Sequence, residues 1–243
     1  MCELCGSTHH RLSRRSLMAG AGAALAASTL PSARLWAAEP SAEGAPNAIS
    51  PDAALQRIMQ GNARYAANAP TERDFSAGRA ARASAQFPMA AILGCSDSRV
   101  VPDLVFDQSP GDLFVVRLAG NFVDDDGLAS LEYAVKILGA PLVMVLGHTN
   151  CGAVAAAIKV VMERAQLPGH LPELIKSIEP AVIAAHARHP SDLLAATIEE
   201  NVKLNVKRMK DDEPILSEAL AAKKIAAVGG IYEIATGTVN LLS

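Results

Sequence analysis

The chain has 243 residues, of which 50% are hydrophobic and 19% are charged, and its formal net charge is −3. This length suffices for one large or two small domains with a buried core. Residues 1–38 contain four arginines and one glutamate, which leaves 18 basic and 24 acidic side chains in the rest of the chain. An acidic body in which only 4% of all residues are aromatic argues against nucleic-acid binding, which relies on clustered Lys and Arg.

Residues 1–38 have the pattern of an export signal. The pair Arg14-Arg15 precedes an uncharged run of small and apolar residues over 19–30, and small residues before position 39 offer a cleavage site. The arginine pair resembles a twin-arginine signal, although the Lys of the fullest pattern is missing. The apolar run is shorter than the ~20 residues of a membrane-spanning helix, so we expect no stable membrane span. We expect cleavage after this segment, a linker over 39–49 and a periplasmic or secreted protein; the alternative is an ordinary disordered or amphipathic N-terminus.

The cysteines fall into two groups. Cys2 and Cys5 form a Cys-x-x-Cys pair ahead of the export signal, so cleavage would remove them and we expect no role for them in the mature protein. Cys95 and Cys151 would remain. In an oxidising compartment two such cysteines favour a disulfide, and this alternative competes with a metal site.

The body of the chain alternates between apolar runs and helical patterns. A helix is predicted to begin at Ser50-Pro51-Asp52, because a capping hydroxyl, a first-turn proline and an acid follow one another, and Gly61 is predicted to end it. Three further helices are predicted at 128–138, 152–164 and 191–209, and four strands at 89–93, 113–116, 141–146 and 225–228.

This alternation is typical of crossover units around a buried parallel sheet. We therefore predict an α/β fold over residues 50–243, with a parallel β-sheet core flanked by helices. Ligands of such sheets gather beyond the carboxyl ends of the strands, so the residues after the first and third runs are the candidate site.

Two clusters of polar and sulfur-containing residues follow those runs. Cys95, Asp97 and Arg99 follow the first, and His148 and Cys151 follow the third. Two thiolates and one imidazole suit zinc and leave a fourth tetrahedral position open. A disulfide between the cysteines would leave the histidine and the acid unexplained. The pattern therefore favours a zinc site.

Through these clusters and further segments, the chain resembles the β-class carbonic anhydrases from about Ser50 to its C-terminus. Besides the two clusters, five segments carry the resemblance: Gly61–Tyr65, Gly111–Arg117, Ala119–Asn121, Ser130–Val135 and Glu200–Val202. The resemblance implies reversible hydration of carbon dioxide to bicarbonate and a proton by zinc-bound hydroxide. It also implies one zinc per subunit and a homodimer or a higher assembly of dimers.

The resemblance also assigns residue roles. Cys95, His148 and Cys151 fall on the zinc ligands. Asp97 and Arg99 fall on the catalytic pair, and in the resting form of some members this aspartate itself binds zinc. The remaining matches fall on positions that contact substrate or line its pocket: Gln86, Gly152, Phe114, Ala119 and Tyr133.

One departure from the family pattern bears on regulation. Some members carry a tryptophan of an inhibitory bicarbonate pocket three residues before the first zinc cysteine, and this chain has Ile92 there. We therefore expect Asp97 to stay off the zinc at neutral pH. Two alternative functions stay open: a zinc hydrolase of carbon disulfide or carbonyl sulfide on the same fold, and a non-catalytic exported zinc-binding protein.

Overall fold

A computed structural model describes residues 45–211 and 214–242. The export signal, the Cys2–Cys5 pair and the first part of the linker lie outside these ranges, so what was expected of them stays a prediction. No helix within the described ranges is long and apolar enough to cross a membrane.

A five-stranded sheet forms the centre of the fold, in the order β2-β1-β3-β4-β5. Its first four strands pair in parallel and confirm the predicted parallel core, while β5 runs antiparallel to β4 and was not predicted. The strands are β1 (Ala90–Gly94), β2 (Leu113–Arg117), β3 (Leu142–His148), β4 (Ala226–Glu233) and β5 (Thr238–Leu242).

Helices cover both faces of the sheet. Along the central strand β3, Met144 packs in one hydrophobic cluster and its neighbour Val145 in another, because successive side chains of a strand point to opposite faces. The helices are α1 (Pro51–Ala66), α2 (Arg79–Arg82), α3 (Pro102–Val105), α4 (Asp125–Lys136), α5 (Gly152–Glu163), α6 (Leu171–Lys176), α7 (Glu179–His186), α8 (Leu193–Asp211) and α9 (Ile215–Ala221).

The start of α1 is as predicted, but its end is not. The Ser50 hydroxyl accepts a hydrogen bond from the Ala53 backbone N–H and caps the helix. Gly61 does not end α1, which continues to Ala66. A Cβ at position 61 would lie 1.8 Å from the Phe106 carbonyl oxygen, so the glycine permits a close helix–backbone approach instead.

The sheet brings the two predicted clusters together. β1 and β3 are neighbours, with Gly94 of β1 in register with Leu146 of β3. Cys95 therefore follows the end of β1 beside His148, the last residue of β3. Cys151 is the N-cap residue of α5, three residues after the end of β3.

Candidate metal centre and active site

Three buried side chains converge at this sheet edge. The Sγ atoms of Cys95 and Cys151 and a ring nitrogen of His148 all lie within 4.8 Å of one another. The two sulfurs are 4.0 Å apart, whereas a disulfide requires about 2.0 Å, so both cysteines are free. Two Zn–S bonds of about 2.3 Å at a tetrahedral angle would separate the sulfurs by about 3.8 Å, so the observed spacing fits zinc.

His148 is oriented as a metal ligand. Its Nδ1 lies 2.9 Å from the Thr149 carbonyl oxygen, which favours the tautomer with the proton on Nδ1 and the lone pair on Nε2. The Nε2 atom is buried and has no hydrogen-bond partner among the described residues. A buried imidazole nitrogen without a partner is costly, and a metal ion would satisfy it.

The surroundings of Cys95 favour its thiolate form. The neighbouring thiol of Cys151 lowers the pKa of Cys95 to about 4, and His148 and the Gly120 backbone N–H act in the same direction. The Cys95 thiolate and burial raise the pKa of Cys151. The close approach of the two sulfurs thus favours the loss of one thiol proton, and a bound divalent cation would favour the loss of both.

Asp97 and Arg99 form a two-pronged ion pair beside the three ligands. Arg99 Nε donates to Asp97 Oδ1 at 2.9 Å, and an η nitrogen donates to Oδ2 at 2.7 Å. These bonds hold the pKa of Asp97 well below its usual range. Oδ2 also lies 3.9 Å from His148 Nε2, so the carboxylate faces the metal position while the arginine holds it. The expectation that Asp97 stays off the zinc at neutral pH remains a prediction.

Arg117 secures the loop that carries Cys95 and Asp97. Its guanidinium donates to the carbonyl oxygens of Cys95 at 2.9 Å and of Asp97 at 2.7 Å. The sequence alone assigned no role to Arg117. The signal that could have indicated one is its position at the end of β2, the strand that pairs with β1.

Comparison with known proteins agrees with this geometry. The sequence profile of the family described as carbonic anhydrase matches residues 90–239. The chain belongs to the β-class carbonic anhydrases. It is 37% identical over 199 residues to a carbonic anhydrase of Mycolicibacterium smegmatis, covering 80% of this chain and 94% of that protein. It is 36% identical to carbonic anhydrase 2 of Mycobacterium tuberculosis, covering 77% of this chain and 91% of that protein.

Solved β-carbonic anhydrases share the fold. A tetrameric β-carbonic anhydrase of Sordaria macrospora aligns with a TM-score of 0.63 at 25% identity, over 68% of this chain and 85% of that one. The Coccomyxa enzyme in complex with acetazolamide aligns with a TM-score of 0.61 at 30% identity, over 69% and 77% of the two chains. The predicted α/β fold is confirmed.

The residues predicted to contact substrate lie at unequal depths in this β-carbonic anhydrase chain. Ala119 is half-buried next to Gly120, and Gly152 is exposed at the start of α5. Phe114 on β2 and Tyr133 on α4 pair with ring centroids 6.3 Å apart, and Tyr133 is 44% exposed. Gln86 is exposed on the loop before β1. The structure does not test their substrate roles.

Sequence reasoning missed the support behind His148. The Thr149 backbone N–H donates to the Tyr232 carbonyl oxygen, and the Thr149 hydroxyl donates to Glu233 and accepts from the Ile234 backbone N–H. These contacts fix the turn whose carbonyl orients the His148 ring. The partners lie at the end of β4 or directly after it, more than 80 residues later, and only the parallel pairing of β3 with β4 brings them close.

Proposed function

We propose that this chain catalyses the reversible hydration of carbon dioxide to bicarbonate and a proton with one zinc per subunit. The observation that carries the proposal is the buried Cys95–His148–Cys151 cluster with the Arg99-bound Asp97 carboxylate beside it. Storage of a metal would need only the cluster. A hydration reaction also needs an oriented acid beside the cluster, and a zinc ion held by three protein ligands would leave a position for water there.

Each side chain of the site has a distinct task. Bound zinc supplies a Lewis acid that ionises water near neutral pH, for which carbonic anhydrases are the established example. The hydrogen bonds from Arg99 keep Asp97 ionised, so its carboxylate can only accept a hydrogen bond from the attacking group. This hydrogen bond orients the lone pair of the attacking group. Arg99 also donates to the Asn150 carbonyl oxygen at 3.3 Å, which ties the acid to the loop between His148 and Cys151.

The surroundings of the ligands suit an uncharged substrate. Both cysteines belong to a hydrophobic cluster that includes Phe122, Val154 and Ile178. Carbon dioxide has no net charge and no dipole, so apolar walls can hold it while they exclude bulk water.

A stopped-flow assay of carbon dioxide hydration on the purified full chain tests the proposal. We expect hydration that is abolished by a zinc chelator and restored by added zinc. Hydrolysis of carbonyl sulfide or carbon disulfide without hydration of carbon dioxide would assign the site to the sulfur substrates. Zinc binding without turnover of any of these would contradict the proposed enzyme activity.

We also propose a homodimer that joins along β2. This strand is an edge of the sheet, and edge strands present unpaired backbone groups. Half-buried Phe114 lies on β2, and the exposed Tyr133 ring packs beside it. Pairing two copies there would cover both rings and place the substrate residues near the interface.

A charge introduced at this edge tests the dimer. We expect Tyr133→Glu to convert the protein to monomers in analytical ultracentrifugation. Leu241→Glu is the matched control, because Leu241 is 43% exposed on β5 at the opposite edge. Equal molar masses for wild type and both variants would contradict an interface along β2.

Export through the twin-arginine route completes the proposal. The support is the arginine pair and apolar run within residues 1–38. Trp36 is the chain's single tryptophan, so protein cleaved after residue 37 or 38 would lack indole emission. Strong indole fluorescence from protein purified from the periplasm would contradict cleavage, and retention in the cytoplasm would contradict export.

A further inference from the structure

Gly120 connects the metal cluster to the turn between β2 and α4. Its backbone N–H donates a buried hydrogen bond to Cys95 Sγ at 3.2 Å. The residue has a φ of +92°, a conformation that residues with a Cβ rarely adopt, so glycine is favoured where this turn approaches the sulfur. Hydrogen bonds to a metal-bound sulfur draw charge from it and tune the metal.

The opposite side of Gly120 is held by Asn201, which lies on α8. Asn201 Nδ2 donates to the Gly120 carbonyl oxygen at 2.8 Å, and the asparagine is 1% exposed. The Gly120 residue is therefore bound by the sulfur of Cys95 on one side and by a side chain 81 residues away on the other. A change in the position of Asn201 would alter the N–H···S contact.

Asn205 braces Asn201 and holds a second point of the same turn. The two asparagines are four residues apart and so lie on one face of α8. Asn205 Nδ2 donates to Asn201 Oδ1 at 3.2 Å, while Asn205 Oδ1 accepts from the Val123 backbone N–H at 2.8 Å. The pair thus holds the turn at Gly120 and at Val123 through two buried side chains.

We propose that Asn201 is a positioning residue for the metal centre. Through Gly120 it sets the N–H···Sγ hydrogen bond to Cys95, and thereby how strongly that thiolate donates electrons to the metal. The inference rests on the zinc centre of the proposed function. It assigns a role to a helix residue that does not touch the metal or the substrate.

Cobalt(II) in place of zinc gives a direct readout of sulfur donation, because thiolate-to-cobalt charge-transfer bands report the energy of the sulfur lone pairs. We expect Asn201→Leu, which keeps the approximate shape without the donor, to move this band to lower energy. We also expect its zinc affinity to fall roughly 10- to 100-fold, the usual cost of losing support to a metal ligand.

Thr197→Val is the matched control. Thr197 is a fully buried polar residue on the same helix, and its hydroxyl donates within α8 to the Leu193 carbonyl oxygen. We expect Thr197→Val to leave the cobalt spectrum and the zinc affinity unchanged. Asn205→Ala removes the brace and the hydrogen bond to Val123 but leaves the Asn201–Gly120 bond, so it should shift the band in the same direction as Asn201→Leu and by less.

The outcomes separate the two levels of the proposal. A wild-type protein without any thiolate-to-cobalt band would overturn the metal centre itself. A normal wild-type band that Asn201→Leu leaves in place, with only a lower melting temperature, would make Asn201 merely structural. Cadmium-113-substituted wild type needs no variant: a through-bond coupling between the Gly120 amide proton and cadmium supports the hydrogen bond, and its absence overturns the inference.

Discussion

Replacing Gly61 with alanine should destabilise the fold, although helix propensity alone predicts the opposite. Gly61 lies inside α1, where alanine is favoured over glycine by about 1 kcal/mol. The new Cβ would lie 1.8 Å from the Phe106 carbonyl oxygen and 2.8 Å from Gln108 Nε2. An ordinary C···O contact is about 3.3 Å, so α1 would have to move back by about 1.5 Å.

That movement would disturb the contacts of the residues that follow Gly61 in the helix. Asn62 Nδ2 donates to the Val105 carbonyl oxygen at 3.0 Å, and Arg64 Nε donates to Asp107 at 2.6 Å. Overpacking costs about 1–3 kcal/mol and each of two weakened hydrogen bonds about 1 kcal/mol. After the gain in propensity, the free energy of unfolding should fall by about 2–4 kcal/mol. This corresponds to a melting temperature lower by roughly 4–16 °C.

Thermal unfolding at a fixed protein and zinc concentration measures this difference. Gly152→Ala is the control, because a Cβ at position 152 meets no atom within 4 Å, and we expect its unfolding free energy to change by less than about 0.5 kcal/mol. A Gly61→Ala protein as stable as wild type, or more stable, would refute the argument from close packing.

Three further outcomes follow from the site and its surroundings. The same Gly152→Ala control should keep its stability but lose hydration activity, because its methyl group would fill the open space beside Cys151 that substrate is predicted to use. Full activity would contradict a substrate role for Gly152. Arg99→Leu should reduce kcat roughly 100-fold or more in stopped-flow assays, since it frees Asp97 beside His148 Nε2, and wild-type kcat would exclude the positioning role. For Asp107, burial alone would raise the pKa, but Arg73, Arg64 and Thr71 outweigh it and hold the pKa well below its usual range. The contribution of ionised Asp107 to stability is therefore full above about pH 4 and is lost as the pH falls through the lower folded-state pKa. The difference in unfolding free energy between wild type and Asp107→Asn should therefore shrink on acidification. A difference that grows would contradict this assignment.

The sequence predicts the parallel core well because buried strands are short, fully apolar runs. β1 and β3 are buried along their whole length, and the metal ligands follow them within a few residues. Local order along the chain was enough to find Cys95, His148 and Cys151. Once the fold is a parallel sheet, the two strand ends must meet at one edge.

Other features depend on contacts that no local pattern records. β5 lies at the edge of the sheet, where only Val239 is buried, and Asn240 interrupts its apolar residues, so it lacks an apolar run. Gly61 reads locally as the end of a helix, whereas its true role is set by the backbone at Phe106. Asn201 and Thr149 act through partners more than 80 residues away, which only the folded chain identifies.

Zinc titration of chelator-stripped protein, with carbon dioxide hydration recorded at each step, tests the central claim most directly. The account predicts that the hydration rate rises in proportion to bound zinc and reaches its plateau at one zinc per chain. It also predicts that His148→Ala shows no such rise. Full occupancy of the Cys95–His148–Cys151 site without hydration, or equal hydration without bound zinc, would contradict it.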